Sequence, residues 1–423
     1  MGTEPNRAAI EAPTPTGNPL RTLRNLNFRR LWVGSVASAV GAAVGTITFT
    51  WLIYAATHSP WAISALGIVQ FLPTIAFGLL AGALIDRWDR RRLMLTCDVA
   101  RALCFGGLAL YVLVYGVSPV VLIGVVFVVA TFTTVFRPAT NAAIPRIVAP
   151  SELSDANGLF QAATTLAQTI GSPVGSLLLL TVGATVGFAV NSLTFAVSGT
   201  MILLMVVPAR SALTEIRASG SRSVVEDIRE GLRFIRSQRA LYIITLNSMA
   251  SNFFLLIWTG FFVIYAAVHL HQGTAAYALL VASTTAGFAI GAILPGRMRT
   301  SERPGLWLLP SWGLAGFFLV GTAWTTSLPV AVAFTVGACL LLSFGNTVFY
   351  SGVQRLVPDE YLGRYFATDD AGSFAMIPAG LAVGGLLVIA WGITWTYVFA
   401  GVGTIATNVP LFVSREVRRW GER

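Results

Sequence analysis

Long apolar runs recur from one end of this 423-residue chain to the other. A helix crossing the ~30 Å hydrocarbon layer of a bilayer needs roughly 20 apolar residues. Runs of that length lie near 31–56, 61–85, 94–115, 119–140, 157–181 and 185–208, then near 240–267, 275–296, 305–324, 329–352, 370–390 and 393–413. Composition excludes a large water-facing body: 55% of residues are apolar and 11% charged, against roughly 25% charged in soluble domains. A mean hydropathy of +0.73 agrees. Lipid is the remaining solvent, and the chain reads as an all-α membrane protein with twelve transmembrane helices.

The placement of arginine tests that count. A net charge of +10 would point to nucleic acid in a soluble protein. Here every cationic side chain is Arg, and the segments assigned to one side of the membrane carry 5, 4, 2, 7, 3, 2 and 4 of them in order. That accounts for 27 of 28, and the opposite loops carry none; Arg101, inside the third span, is the exception. Short cytoplasmic loops retain Arg and translocated ones do not, so both termini are expected in the cytoplasm. A missing or extra span would scatter Arg to both sides. Membrane lipid, not nucleic acid, is the implied partner.

Cys97, Cys104 and Cys339 are scattered through apolar stretches and form neither a disulfide framework nor a metal site. His58, His269 and His271 are too dispersed for a metal centre, and a short loop is expected to hold the last two. No metal or cofactor is expected. Residues 1–28 read as a disordered cytoplasmic tail without the apolar core of a signal peptide, and 415–423 as a second tail. Between the halves 29–208 and 240–414, residues 209–239 form a polar linker. In it Val225, Ile228, Leu232 and Ile235 recur at steps of 3, 4 and 3, as on an amphipathic helix. That helix is expected on the inner membrane surface, tethering the halves.

An internal repeat relates the halves. Gly82-Ala83-Leu84-Ile85-Asp86-Arg87 and Gly291-Ala292-Ile293-Leu294-Pro295-Gly296-Arg297 follow corresponding spans at an offset of 209 residues, and the same offset aligns Arg146-Ile147-Val148 with Arg355-Leu356-Val357. A duplication of this kind predicts two pseudo-symmetric six-helix bundles with a substrate path between them.

The loop Gly82-Ala83-Leu84-Ile85-Asp86-Arg87-Trp88-Asp89-Arg90-Arg91 resembles the signature G-x-L-x-D-R-x-G-R-R/K of the major facilitator superfamily, with Asp89 at the second glycine. Asp98 to Ala102, Phe136-Arg137-Pro138-Ala139, Ile144-Pro145, Ala156-Asn157 and Val357-Pro358-Asp359-Glu360 with Gly363-Arg364 are similar to the enterobactin-exporter-like and macrolide-efflux-like branch. The resemblance implies a major facilitator fold, a multi-pass protein of the bacterial inner membrane, and a gating role for Gly82, Asp86, Arg87, Arg90 and Arg91. Asp86 would face the start of the eleventh helix, and the arginines would meet lipid phosphate and nearby acids. Pro295 replaces the acid in the second half.

Charges inside spans are functional candidates by default. Asp98 and Arg101, at i, i+3, share one helical face; they read first as a mutually neutralised brace and alternatively as a proton site. Asp369 and Asp370 read as acids in the first turn of the eleventh helix, meeting its dipole, with proton coupling as the alternative. Proton-coupled antiporters of the superfamily often carry an Arg midway along the fourth helix, which is absent from Val120 to Phe136. Gly171-Ser172-Pro173-Val174-Gly175 is similar to their Gly-Pro motif, with Pro one place late.

The resemblance implies that the first, fourth, seventh and tenth spans line the cavity. Their candidate lining is Thr48, Trp51, Thr131, Thr134, Asn247, Ser251, Asn252, Trp258, Ser343, Asn346, Thr347 and Tyr350. The last four, at i, i+3, i+4 and i+7, form a stripe on one face. An uncharged, aromatic lining suits a bulky amphiphilic organic molecule, so the expected function is export of a drug, macrolide or siderophore-like metabolite by a monomer, driven by proton antiport. Import of a sugar or metabolite on the same fold is the alternative, and a receptor or scaffold a more distant one. No Ser-His-Asp set or metal cluster supports an enzyme.

Overall fold

The computed structural model describes residues 19–206, 224–298, 304–418 and 420. Helices fill it: α1 (Leu26–Thr57), α2 (Pro60–Arg87), α3 (Arg90–Tyr115), α4 (Pro119–Ile147), α5 (Leu153–Thr181) and α6 (Gly183–Leu204) in the first half. The second half contains α7 (Val224–Ser237), α8 (Arg239–Thr259), the short α9 (Phe262–Ile264), α10 (Thr274–Ile293), α11 (Pro304–Trp324), α12 (Leu328–Leu356), α13 (Asp359–Val413) and the short α14 (Arg415–Arg418). Spans seven, eight, nine and ten are α8, α10, α11 and α12.

Eleven described helices are long and apolar enough to cross a membrane, because α13 contains the last two spans. Its 55 residues would reach about 80 Å as one rod. Gly392 interrupts it at φ 75°, ψ 172°, a backbone region that glycine adopts readily. The chain reverses there: Gly380 packs on the Phe253 carbonyl while Gly403 packs on the neighbouring Phe254 ring. Two halves of one helix reach adjacent residues of α8 only as a hairpin. The structure therefore carries the twelve crossings expected from the sequence.

Local chemistry sets the helix ends. Asn25 caps α1 by accepting from the amides of Asn27 and Phe28 at 3.0 and 3.2 Å. Asp89, where the signature has glycine, accepts from the Arg92 amide at 2.8 Å and caps α3. Asparagine and aspartate satisfy the otherwise orphaned first amides of a helix in this way.

Packing separates the two ends of the molecule. At the Arg-free end one continuous core joins both halves, with Ile47, Ile53 and Phe105 from the first and Trp258, Phe262 and Tyr265 from the second. At the Arg-bearing end the cores are separate: Phe28, Met94 and Phe136 in one, Leu308, Trp312 and Tyr365 in the other. The bundles join at one end and diverge at the other. Close helix contact is made through glycine: a Cβ on Gly291 would stand 2.1 Å from the Leu340 carbonyl oxygen of α12, and one on Gly175 2.8 Å from the Val44 Cα of α1.

Three sequence expectations need correction. The tails are not wholly free: Pro19–Arg24 is a 3-10 helix, and Val417 and Trp420 are buried at the second bundle. The linker helix α7 docks on that bundle, stacking Phe234 on Tyr361 at 4.4 Å and pairing Glu230 with Arg364 at 2.8 Å. Residues 207–223, leading into it, lie outside the described part. His269 is not in a loop but ends a π-helical turn, stacked on Tyr265 and hydrogen-bonding distance from the Thr325 carbonyl and the Thr394 hydroxyl.

Candidate functional site: a cavity between the bundles

The Arg-bearing end is knitted by arginine side chains that donate to backbone carbonyls of neighbouring helices. Arg90 donates to the Ala142 carbonyl of α4 at 2.6 Å. Arg91 donates to the carbonyls of Ile202, at 3.1 Å, and Leu203, and Arg30 to that of Leu204. The last carbonyls of a helix lack intrahelical partners, and cations there meet the negative end of the dipole. Arg91 thus caps the end of α6, and Arg90 ties α3 to a carbonyl five residues before the end of α4. The side chains of Gly82, Asp86 and Arg87 lie outside the described set.

Asp98 and Arg101 form an ion pair inside the first bundle, at 0% and 3% side-chain exposure. Ser198 donates to the second carboxylate oxygen at 2.7 Å, and Arg101 Nε to the Cys97 carbonyl at 3.3 Å. The guanidinium carbon sits 4.1 Å from the Phe136 ring centroid and 4.5 Å from that of Phe195. Both carboxylate oxygens are occupied, and the pair touches neither cavity described below. It braces α3 against α4 and α6.

A cavity of about 210 Å³ opens in the second bundle, where α8, α12 and the first arm of α13 converge. Ser251, Asn252, Asn346 and Tyr350 line it, together with Ser248, Phe288, Trp312, Phe349, Asp370, Ser373 and Phe374. A second cavity of similar volume lies between the bundles, against their shared core. Its wall includes Thr46, Thr50 and Gln70 from the first half and Thr259, Tyr277 and Thr284 from the second. The seal on its Arg-free side includes the Ser64 hydroxyl of α2, which donates across the interface to the Leu381 carbonyl of α13 at 2.8 Å.

The remaining expected lining residues lie outside these two cavities. Thr48 is fully buried and bonds the Val44 carbonyl. Asn247 is buried against Asn408 at 3.4 Å, and Trp258 donates to Thr322 at 2.9 Å. Ser343 donates to the Phe288 carbonyl of α10 at 2.7 Å, and Thr347 to that of Ser343. Thr134 bonds Thr74 of α2 at 3.0 Å, Thr131 the Phe127 carbonyl, and Trp51 packs beside Tyr54. Most of these polar groups find partners within their own bundle, as buried polar groups tend to, although the Asn247 side-chain carbonyl oxygen has none.

Asp369 and Asp370 also need correction. The helix begins at Asp359, so they stand about three turns inside it, beyond reach of the dipole of its first turn. Asp370 faces the cavity; Asp369 is 1% exposed, and its Oδ1 has no hydrogen-bond partner. The cavity lining is thus not uncharged. Sequence reading missed Gln70, Tyr277, Phe288 and Trp312, which lie on spans it did not assign to the cavity.

Two six-helix bundles joined at one end around an interfacial cavity define a major facilitator transporter. The nucleoside transporter NupG superposes with a TM-score of 0.69 at 12% identity, covering 92% of this chain and all of that one. A bacterial homologue of the human lysosomal transporter Spinster, inward-facing and unoccupied, superposes with 0.67 at 14%, covering 94% and 96%. The chain belongs to the transmembrane secretion effector family of that superfamily, whose model matches residues 17–422. It is similar to macrolide efflux protein A of Streptococcus pyogenes, 23% identical over 402 residues, 93% of this chain and 97% of that protein. It is also similar to the putative bacilysin exporter BacE of Bacillus subtilis, 26% identical over 339 residues, 78% and 80% of the two chains. The family and these relatives are transporters, not enzymes.

Proposed function

We propose that this protein is a secondary active exporter of small, bulky, amphiphilic organic molecules, working by alternating access and proton antiport in the bacterial cytoplasmic membrane with both termini inside. The observation that carries this reading is the cavity of α8, α12 and α13, where aromatic walls, neutral hydroxyls and amides surround Asp370. Its volume of about 210 Å³ is below the ~300–1,000 Å³ of drug-sized pockets. It therefore seats one part of the cargo, while the rest lies in the cleft between the bundles. A shared core at the Arg-free end and separate cores at the other supply an opening towards the cytoplasm, from which an exporter loads. Names of relatives that export macrolides or bacilysin favour the same direction.

Proton coupling is assigned to Asp369 and Asp370. Asp98 is paired with Arg101 and hydrogen-bonded by Ser198 away from the cavities, whereas Asp370 meets the cavity and its chain neighbour Asp369 keeps an unpartnered oxygen. Acids inside a span mark proton paths when they meet a water-filled space. The gating role proposed for Gly82, Asp86, Arg87, Arg90 and Arg91 operates at the Arg-bearing end, where hydrogen bonds from Arg90 and Arg91 tie α3 to α4 and α6.

Inverted vesicles, acidified inside, test this reading with two lipophilic probes, neutral Nile red and cationic tetraphenylphosphonium. Vesicles containing the protein should accumulate at least one probe above empty vesicles, and an uncoupler should abolish the difference. Accumulation that survives the uncoupler eliminates proton antiport. Accumulation of neither probe eliminates the exporter reading.

A further inference from the structure

We propose that the cavity around Asp370 is a subsite for positive charge, and that it takes the protonated amine or quaternary centre of an amphiphilic cation. This rests on the exporter reading and specifies its cargo. Asp370 and Phe374 stand four residues apart on α13, as do Asn346 and Tyr350 on α12, so each helix turns one such pair into the same cavity. The Tyr350 ring, 40% exposed, is held by Phe349 and Phe366 at centroid distances of 5.3 and 5.6 Å. Across the cavity the buried Ser251 hydroxyl has no hydrogen-bond partner. Among the described residues no cation lies within 4 Å of Asp370; Arg364, one and a half turns earlier on α13, is paired with Glu230.

Asp370 is exposed at the cavity wall, so an incoming counter-charge can reach its carboxylate. A hard metal cation prefers six or more oxygen ligands with carboxylates among them, and this wall offers a single carboxylate beside five aromatic rings. An organic cation fits better: its charge meets the carboxylate, and ring faces attract its alkyl-ammonium shell. The Ser251 hydroxyl can turn to a polar group of the same cargo. Since a proton and an organic cation compete for one carboxylate, loading one releases the other, which couples them without a second site.

Equilibrium binding to the purified full-length chain tests the proposal, using labelled tetraphenylphosphonium and, in parallel, Nile red. Asp370→Asn should raise the Kd of the cation about tenfold relative to that of Nile red, the scale of a charge-assisted contact, and Asp370→Glu should restore most of it. If Asp370→Asn does not yield folded protein, Tyr350→Leu replaces it, with an expected selective loss of about fivefold. Equal weakening of both probes, or an unchanged Kd for the cation, overturns the subsite. A wild type that does not bind the cation overturns it too; if inverted vesicles still accumulate Nile red, the exporter reading stands alone.

Discussion

Asp98→Ala leaves the Arg101 guanidinium charged and 3% exposed inside the first bundle. Two unit charges about 4 Å apart attract by roughly 4 kcal/mol at an effective dielectric constant of 20, and removing one partner of a buried pair costs about 3–5 kcal/mol. Arg101 would keep the Cys97 carbonyl and the faces of Phe136 and Phe195, which places the loss near the lower bound, about 3 kcal/mol. At about 2–4 °C per kcal/mol for a body of 150–250 residues, the melting temperature should fall by about 6–12 °C. Size-exclusion chromatography of heated, detergent-solubilised protein reads this directly. The double variant Asp98→Leu with Arg101→Met should recover most of the loss, because it removes both charges while keeping volume; Ser198 can then turn to its own helix. A single variant as stable as wild type refutes the brace. A double variant as unstable as the single one shows that shape, not the orphaned charge, carries the cost. Asp98→Asn should impair counterflow exchange as much as driven transport, since a brace acts on both.

Two further substitutions probe packing and the seal. Gly291→Val would drive its Cβ to within 2.1 Å of the Leu340 carbonyl oxygen, forcing α10 from α12 at a cost of about 1–3 kcal/mol. Gly124→Ala on α4, with nothing within 4 Å, should melt within a degree or two of wild type; equal losses in the two would contradict the close-contact assignment. Ser64→Ala removes the cross-bundle bond to Leu381. A loss of about 1 kcal/mol shifts the balance between open and closed Arg-free ends about fivefold, read as the fraction of long distances between spin labels across that end. No change would exclude Ser64 from the seal.

Topology was legible because its signals are local: apolar length, Arg placement and the i, i+3 spacing of Asp98 and Arg101 need no tertiary knowledge. Helix orientation was not. Ser343, Asn346, Thr347 and Tyr350 share a stripe by arithmetic, yet it is wide enough that Ser343 bonds α10 while Asn346 and Tyr350 line the cavity. Asn247 and Ser251 are one turn apart, but Asn408 on the second arm of α13 captures the first. Hydropathy placed the start of the eleventh span near residue 370, whereas the helix continues back through a less apolar stretch to Asp359. That error made Asp369 and Asp370 look like capping acids and hid an acid in the cavity wall.

The central claim is that the two ends of the molecule open in alternation. With Cys97, Cys104 and Cys339 replaced, spin labels at His58 and Gln272 report the Arg-free end, and labels at Ser151 and Arg415 the Arg-bearing end. Both pairs are at exposed positions. In the state described here the first pair should be close and the second apart. In proteoliposomes given a proton gradient and a saturating transported probe, the first distance should lengthen while the second shortens. Two distances that stay fixed, or that change in the same direction, contradict alternating access.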